Sequence, residues 1–286
     1  MNTIEDAFQA IVASVPQGGG IPYHLGEKAS SEPSLLSFLA FCAHGRADDP
    51  PARQLVTWAQ KNKNPNGSIA AIPEFPDQGI WLSAHLALVF HHAKVMEDRD
   101  RTVETLLELR SCTPEQNPNA NQDNSLVGWP WAKETFGWVE PTSWAILALR
   151  AAGKTSHQRV KQGTDLLMNR CISTGGWNYG NREVYCRKLL PFLDTTALAL
   201  IALADLVTPD RLSPSLTLVE NMASEEFSLY GFSFALLTLE RFGRPSDKIR
   251  EAVLSCLETA TSDSPNFAQL ALALIALGPR KVLWEP

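Results

Sequence analysis

The chain has 286 residues, of which 44% are apolar and 20% are charged. This length fits either one large domain or two small ones, and either would bury a substantial core. The apolar content is ordinary for a globular protein, which excludes disordered, fibrous and coiled-coil classes. The net charge of −6 comes without a block of Lys and Arg. We therefore expect no nucleic-acid interface, because neutralising phosphates requires clustered cations.

Cysteine usage and the N-terminus bear on the compartment. The five cysteines are odd in number, widely spaced and without a CxxC pair, which predicts reduced thiols. Residues 1–15 carry acids where a signal peptide would carry Lys or Arg. The longest apolar runs, 197–204 and 270–278, are at most about half a membrane span. We expect a cytoplasmic protein with no transmembrane segment, and a peripheral membrane contact stays open.

Six short apolar runs recur along the chain, and four of them end at a glycine. A glycine just after a helix can adopt the left-handed conformation that closes it. Each run is apolar nearly all round, which is typical of a helix buried on every side. The runs span 33–45, 80–93, 141–153, 195–206, 231–243 and 267–278.

More amphipathic segments alternate with these apolar runs. Ser213-Pro214 and Ser246 are typical helix starts, with a capping side chain and, in the first case, a proline at the first helical position. The alternation predicts six repeats of a helix pair, each unable to bury its apolar face alone. The amphipathic segments span 3–15, 51–62, 99–112, 156–171, 213–224 and 246–260.

Two architectures accommodate six helix pairs. An open solenoid needs polar outer faces on its terminal repeats, whereas a closed ring of six inner and six outer helices needs none. The last repeat is as apolar as the middle ones. The sequence therefore favours an all-α fold, an (α/α)6 barrel or toroid that uses residues 1–286, with 279–286 as a C-terminal tail.

Tryptophan is concentrated in one part of the chain. Five of the eight Trp lie between residues 129 and 177, near two long connections, 114–125 and 175–193, that lead into inner helices. Two interpretations stay open. The rings plug one end of the barrel, or they line a cavity for an apolar or cationic ligand, because aromatic faces attract positive charge. The five are Trp129, Trp131, Trp138, Trp144 and Trp177.

Glu32, Glu140 and Asp194 each stand at the start of an inner helix. Because the inner helices of a barrel run in the same direction, these carboxylates should converge at one mouth. Helix capping is the simplest interpretation, since the helix dipole favours an acid there by about 0.3–1 kcal/mol. The alternative is a functional role. Asp194 is then the first candidate, because apolar neighbours would raise its pKa and suit it to donate a proton; Glu134, in the aromatic loop, is a further one.

The sequence lacks the residue patterns that several common chemistries require. No His or Cys spacing suits a metal, no glycine-rich loop suits a nucleotide, and no GxSxG segment suits a serine nucleophile. We therefore expect neither a metal nor another cofactor.

Residues 166–180 (LLMNRCISTGGWNYG) and 192–203 (FLDTTALALIAL) resemble the repeat of terpenoid cyclases and protein prenyltransferase β-subunits. In that repeat a glycine-rich turn leads to an inner helix that begins with Asp-Thr. Residues 64–69 and 137–149 resemble weaker copies. The resemblance implies a toroid whose apolar cavity holds an isoprenoid, with Asp194 as the proton donor. The acid-rich motif of the cyclases is reduced here to that single acid, and the prenyltransferase zinc ligands have no counterpart.

Two functions follow as hypotheses. The first is a single-barrel, terpenoid-cyclase-like protein that binds an apolar, isoprenoid molecule and protonates it through Asp194, with Glu140 as a second catalytic acid. The second is a catalytically silent toroid that holds a ligand or a protein partner. Glycoside hydrolases of this architecture would need paired carboxylates, which the sequence does not display. The predicted substrate-binding residues are Trp129, Trp131, Trp138, Trp177, Tyr179, Phe192 and Glu32.

Overall fold

A computed structural model describes residues 3–76, 79–116, 121–184, 187–262 and 265–284. In this part of the chain, helices alternate with loops, and one short hairpin pairs β1 (Glu183–Val184) with β2 (Arg187–Lys188). The helices are α1 Thr3–Ala13, α2 Ser31–Ala43, α3 Pro50–Asn62, α4 Ser83–His92, α5 Met96–Glu108, α6 Val139–Ala151, α7 Gln158–Arg170, α8 Leu193–Leu203, α9 Pro209–Ala223, α10 Leu229–Arg241, α11 Asp247–Ser262 and α12 Phe267–Leu277. A 3-10 turn, Ile80–Leu82, leads into α4.

The even-numbered helices form an inner ring. Each packs against the next, from α2 to α12, and α12 packs against α2, which closes the ring. The odd-numbered helices lie outside and cover the inner ones. An inner helix therefore meets neighbours on both sides, an outer helix behind and the barrel axis in front, which explains why it is apolar all round. The predicted (α/α)6 barrel is confirmed.

Two helix starts test the predicted caps. α11 begins directly after Ser246, as predicted. The start predicted at Ser213-Pro214 is wrong, because α9 begins at Pro209 with Thr208 as its N-cap, and Pro214 lies inside the helix. Thr208-Pro209 carries the same signal a few residues earlier, and the chain uses that earlier one.

The cysteines in the described ranges are reduced, and the described helices are short. The four cysteines in the described ranges, Cys42, Cys112, Cys171 and Cys256, are free thiols, whereas Cys186 lies outside those ranges. None of the helices that the structure describes combines the length and the apolarity needed to cross a membrane.

A side-chain hydroxyl ties each of four loops to the inner helix that follows it. A loop N–H donates to a Ser or Thr Oγ in the first turn of that helix, which pairs a backbone group that the loop would otherwise leave buried and unsatisfied. The pairs are Ile21 with Ser34 at 2.7 Å, Ile69 with Ser83 at 3.1 Å, Trp129 with Thr142 at 3.0 Å, and Trp177 with Thr196 at 2.9 Å. The GGW segment at 175–177 and the NGSI segment at 66–69 each end in the loop residue whose N–H makes this bond.

Gly176 shows why the connection needs glycine. Its φ is +81°, a conformation that side chains rarely adopt. A Cβ there would also lie 2.7 Å from Leu218 Cδ2, 2.8 Å from Pro191 Cβ and 3.0 Å from Thr196 Oγ1. The loop backbone thus reaches the inner helix only because residue 176 has no side chain.

Replacing Gly176 by Ala should destabilise the protein through both strain and overpacking. Gly153→Ala is the matched control, because Gly153 has a similar φ of +74° but no atom within 4 Å of the position that a Cβ would take. We expect Gly153→Ala to cost about 1–2 kcal/mol in free energy of unfolding, and Gly176→Ala to cost about 1–3 kcal/mol more. Urea denaturation measures both variants, and equal costs would contradict this account of the connection.

Replacing Thr196 by Val removes the acceptor of the Trp177 N–H while keeping the side-chain shape. The buried N–H is then unpaired, so we expect a loss of about 1–3 kcal/mol in unfolding free energy. Thr164→Val is the control, since that hydroxyl only donates to Val160 O within α7. Its cost should stay within about 0.5 kcal/mol. If thermal and urea unfolding rank the two variants equally, the hydroxyl tie is not a stabilising device.

Candidate functional site at the mouth of the barrel

The three predicted carboxylates occupy equivalent places at one end of the barrel. Glu32, Glu140 and Asp194 are the second residues of α2, α6 and α8, and each is half-buried. The structure therefore brings them to one mouth.

None of the three acids is itself an N-cap residue, however. The N-cap residues are Ser30, Trp138 and Phe192, all in extended conformation and none with a side-chain cap. The first helical N–H groups of α2 and α6 are paired by neighbouring loops instead: Ser31 donates to Ala71 O at 3.1 Å and Val139 to Tyr179 O at 2.9 Å.

Each mouth position lies two residues before the hydroxyl tie. Glu32, Glu140 and Asp194 precede Ser34, Thr142 and Thr196, and by the same rule Trp81 precedes Ser83 on α4. Because residues four apart share a helix face, a second layer lies one turn deeper along the axis. From these four positions it includes Leu36, His85, Trp144 and Leu198, and on α10 Phe234 lies four residues after Tyr230 in the same way.

The space between the two layers is small. Glu140, Asp194, Tyr230, Leu198 and Phe234 border a gap that is too small to hold a water molecule. Enclosed small-molecule sites usually measure about 300–1,000 Å³. At this level the barrel is nearly filled, and the accessible part of the site is the mouth above it.

Glu140 is the most perturbed of the three acids. Burial, together with the charges of Glu32 and Asp194, raises its pKa from the usual 4.5 to about 8, although a hydrogen bond with the Trp144 side chain opposes the rise. Glu140 is therefore protonated at neutral pH. A carboxylic acid in this state can donate a proton.

In Glu32 and Asp194, different groups counteract the effect of burial on the pKa. Burial raises the pKa of Glu32, and the Tyr23 hydroxyl, which donates to its carboxylate, works against that rise. Burial also raises the pKa of Asp194, but less far, because backbone N–H groups in the first turn of α8 stabilise its charge. The sequence argument that apolar neighbours would raise the Asp194 pKa agrees in direction.

Tyrosines surround the carboxylates. Tyr23 bonds to Glu32, and Tyr230 lies among all three acids, so burial and their charges raise its pKa well above the ordinary value. Tyr179 is 47% exposed and packs against Phe192, with ring centroids 5.0 Å apart. The mouth thus combines proton-holding carboxyls, phenolic donors and exposed rings.

Two of the predicted cavity-lining tryptophans lie elsewhere. Trp129 and Trp177 are 1% and 0% exposed, and their indole N–H groups donate to Leu106 O and Leu167 O of the outer helices. The Arg159 guanidinium also lies 3.9 Å from the Trp129 ring centroid. These rings anchor loops in the wall between inner and outer helices, so the prediction that they line the cavity does not match their positions.

The remaining predicted rings stay near the mouth. Trp131 meets Trp81 edge-on at 4.6 Å, and Trp138 packs against Phe136 at 5.2 Å. Glu134 is exposed, with a left-handed φ of 61°.

Sequence reasoning missed Tyr23, Trp81, His85 and Tyr230. Trp81 and His85 could have been found from their spacing to Ser83, once the hydroxyl tie is recognised as the repeat register. Tyr23 and Tyr230 carry no such signal, since only the closed ring brings them to Glu32 and Glu140. Across the described ranges, no group of three or more His, Cys, Asp or Glu is arranged to hold a metal ion.

Exposed apolar side chains surround the same mouth. Among the residues that the structure describes, nine of the eleven exposed large apolar side chains lie in five of the loops that lead into inner helices. The exposed apolar side chains are thus concentrated at the end of the barrel that carries the mouth. The nine are Leu25, Ile72, Phe75, Phe136, Tyr179, Val184, Leu190, Phe192 and Phe227.

Comparisons with known proteins show the fold. No protein-family model matches the chain, and no curated protein is similar to it in sequence. A solved structure described as a novel alpha-amylase from Clostridium perfringens has a TM-score of 0.69 at 11% identity, over 96% of this chain and 97% of that one. A GH76A alpha-1,6-mannanase of a Salegentibacter species gives 0.64 at 11% identity, over 99% of both chains. Salmonella alpha-2-macroglobulin gives 0.54 at 13% identity, over 97% of this chain and 18% of that one. These likenesses establish a helical toroid and assign no family.

Proposed function

We propose that the protein hydrolyses glycosides at the barrel mouth, with Glu140 as the general acid and Asp194 as the second carboxyl group. The observation that carries the proposal is a protonated Glu140 beside a second acid whose pKa is raised less. Glycosidases use two carboxyl groups held in different protonation states by their surroundings. Glu140 would give its proton to the leaving oxygen as the glycosidic bond breaks, and Asp194 would assist the attack of water.

The surroundings of the acids suit a carbohydrate. The mouth is half-open, and Tyr179 and Phe192 expose ring faces on which the apolar face of a sugar can stack. Glu32 and Tyr23 add a hydrogen-bonding pair for hydroxyl groups. Two solved structures with this fold are described as an alpha-amylase and an alpha-1,6-mannanase, which supports the substrate class without assigning it.

A second candidate is the isoprenoid ligand implied by the resemblance to terpenoid cyclases, with Asp194 as proton donor. The exposed rings Tyr179 and Phe192 near Asp194 favour it, because aromatic faces stabilise cations. Two observations weigh against it. Protonating an alkene needs a strong acid, whereas burial raises the pKa of Asp194 and so makes it a weaker acid, and the gap below the carboxyl groups is too small to enclose an isoprenoid.

One experiment separates the candidates. The protein is incubated with a panel of oligosaccharides that begins with alpha-1,6-mannotriose, and separately with linear isoprenyl diphosphates and squalene, followed by chromatography and mass analysis. Sugar release supports the hydrolase. Isoprenoid product from the wild type but not from Asp194→Asn supports the second candidate. No product in either arm overturns both and leaves the catalytically silent, partner-binding toroid.

Glu140→Gln should lower kcat/KM on a cleaved oligosaccharide by about 10²–10⁴-fold, which is the usual loss when a general acid is removed. In the wild type, kcat/KM should also fall as pH rises through about 8, because Glu140 then loses its proton. Glu104→Gln, at an exposed acid on α5, is the control and should keep full activity. An alkaline limb that persists in Glu140→Gln would contradict the assignment.

The protonated state of Glu140 can be tested without a substrate. Its folded pKa of about 8 exceeds the usual 4.5, so between these pH values the native state binds more protons than the unfolded state. Its contribution to stability is thus fully present below pH 4.5 and is lost as pH rises towards 8. Urea unfolding of the wild type should show stability falling across this window. Glu140→Gln should give a flatter dependence and Glu104→Gln an unchanged one; parallel curves for all three would show that Glu140 is ionised.

A further inference from the structure

A trough of about 670 Å³ follows the outer helix α7 and is bounded on one side by the connection that leads into α9. Its lining residues on this helix run from His157 to Asn169, a span of about 18 Å. The volume falls within the range of about 300–1,000 Å³ that is usual for ligand sites. None of the three carboxyl groups at the mouth borders it. The trough is therefore a separate place where another molecule can lie.

The floor of the trough is largely apolar. Val160 and Met168, which lie eight residues apart, share one face of α7, and the adjoining loops supply the other apolar side chains. Val160 is buried and the others are half-buried, so most of the floor still meets water. An occupant with apolar side chains gains free energy by covering it. The apolar lining residues are Leu126, Val160, Met168, Leu206 and Val207.

Three cations surround this floor, and none of them has an ion pair with another residue in the described ranges. Lys161 and Arg211 are exposed, and Arg182 donates a hydrogen bond from Nη2 to Asn121 Oδ1 at 3.0 Å. Among the described residues that line the trough, Asp165 is the one acid. Three positive charges thus face one negative charge, in a chain whose net charge is −6. The trough is complementary in charge to an anionic partner.

The cations are spread along the trough. Lys161 lies in the first turns of α7, whereas Arg182 lies near the end of that helix, where it borders a second hollow together with Asn169. Positions 161 and 169 are separated by about 12 Å along the helix. An extended peptide advances about 3.3 Å per residue, so two carboxylates four residues apart on it match this separation. The oxygen of Asn169 accepts from Asp123 N at 3.0 Å, which leaves its NH₂ group to donate to a peptide carbonyl.

The shape of the trough selects the class of partner. A bound lipid or cofactor is usually enclosed over about 70–90% of its surface, which an open trough with exposed Lys161 and Arg211 does not provide. A nucleic acid would need a larger cluster of cations than the three present here. A short protein segment needs only a floor for its apolar side chains and cations for its acids.

We propose that this trough binds an acidic peptide segment of a partner protein. The segment carries two acids four residues apart, with apolar residues between them. Its carboxylates pair with Lys161, Arg182 and Arg211, and its apolar side chains cover the floor around Met168. The trough shares no lining residue with the mouth, so the proposal does not rest on the proposed function.

The first test observes the floor directly. Protein labelled with ¹³C at its methionine methyl groups is titrated with a pool of capped peptides and followed by NMR. Each peptide has two Glu that enclose three residues chosen from Leu, Ile, Val and Phe, with Ser at both ends. We expect the Met168 signal to shift, whereas Met96, which is 46% exposed on α5, stays unchanged. A matched pool with Lys in place of Glu should leave Met168 unchanged. If the Glu pool does not move Met168, or if both pools move it equally, the proposal is overturned.

The second test reverses one charge at the trough. Lys161→Glu should weaken the apparent affinity for the Glu pool at least about 10-fold, because a cation that pairs with the peptide becomes an anion that repels it. Lys248→Glu, at an exposed Lys on α11, makes the same change in net charge and should alter the affinity less than about 2-fold. Both variants should keep the melting temperature of the wild type, since neither Lys has an ion pair among the described residues. Equal losses in the two variants would reflect net charge alone and would refute the site.

Two further measurements separate the peptide from other anions and from the reaction at the mouth. Inorganic phosphate or sodium dodecanoate that shifts Met168 as far as the Glu pool does would assign the trough to a small anion and overturn the proposal. Binding of the Glu pool without any sugar release would keep the trough and remove the hydrolase. Sugar release without binding of the Glu pool would keep the hydrolase and remove the trough.

Discussion

The mouth of the barrel depends on one hydrogen bond that is repeated four times among the described residues. A Ser or Thr in the first turn of an inner helix accepts the N–H of a loop residue, as Thr196 does for Trp177. The bond sets how far the loop extends over the helix. It also sets where the residue two positions before the Ser or Thr lies relative to its counterparts on the other inner helices. Because Glu32, Glu140 and Asp194 share that position, the same device brings the acids to one ring.

Burial and the helix dipole act in opposite directions on these acids. The dipole stabilises a carboxylate at a helix N-terminus by about 0.3–1 kcal/mol, which would lower its pKa. Glu140 shows that burial outweighs the dipole, with neighbouring charges adding to the rise. In Asp194 the effects of burial and of the helix N-terminus on the pKa are more nearly balanced, because backbone N–H groups of α8 bond to its carboxylate. The three acids share their place at the second helical residue, so it is their different partners and neighbouring charges that give them different protonation behaviour.

The sequence predicts the fold well because its signals are local. Six apolar runs and their glycine ends define the helix pairs, and the equally apolar last repeat predicts that the ring closes. The convergence of Glu32, Glu140 and Asp194 follows from the same parallel arrangement. The direction in which a ring points is not a local property, however. Trp129 and Trp177 follow the loop glycines just as mouth residues might, yet their indoles turn back to carbonyl groups of α5 and α7. Side-chain direction therefore had to come from the structure, as did the contacts of Tyr23 and Tyr230, which only ring closure brings to the acids.

The filling of the second layer determines what kind of site this toroid can offer. Leu198, Phe234 and Trp144 occupy the axis below the acids and leave little free volume, so a ligand has to bind at the mouth rather than inside. A ligand held at the mouth remains in contact with water, which suits a reaction that consumes water and does not suit a carbocation that water would quench. The same helices with smaller residues in this layer would enclose a cavity. Side-chain volume one turn below the carboxyl groups, rather than the toroid itself, is thus what supports the proposed hydrolysis over cyclisation.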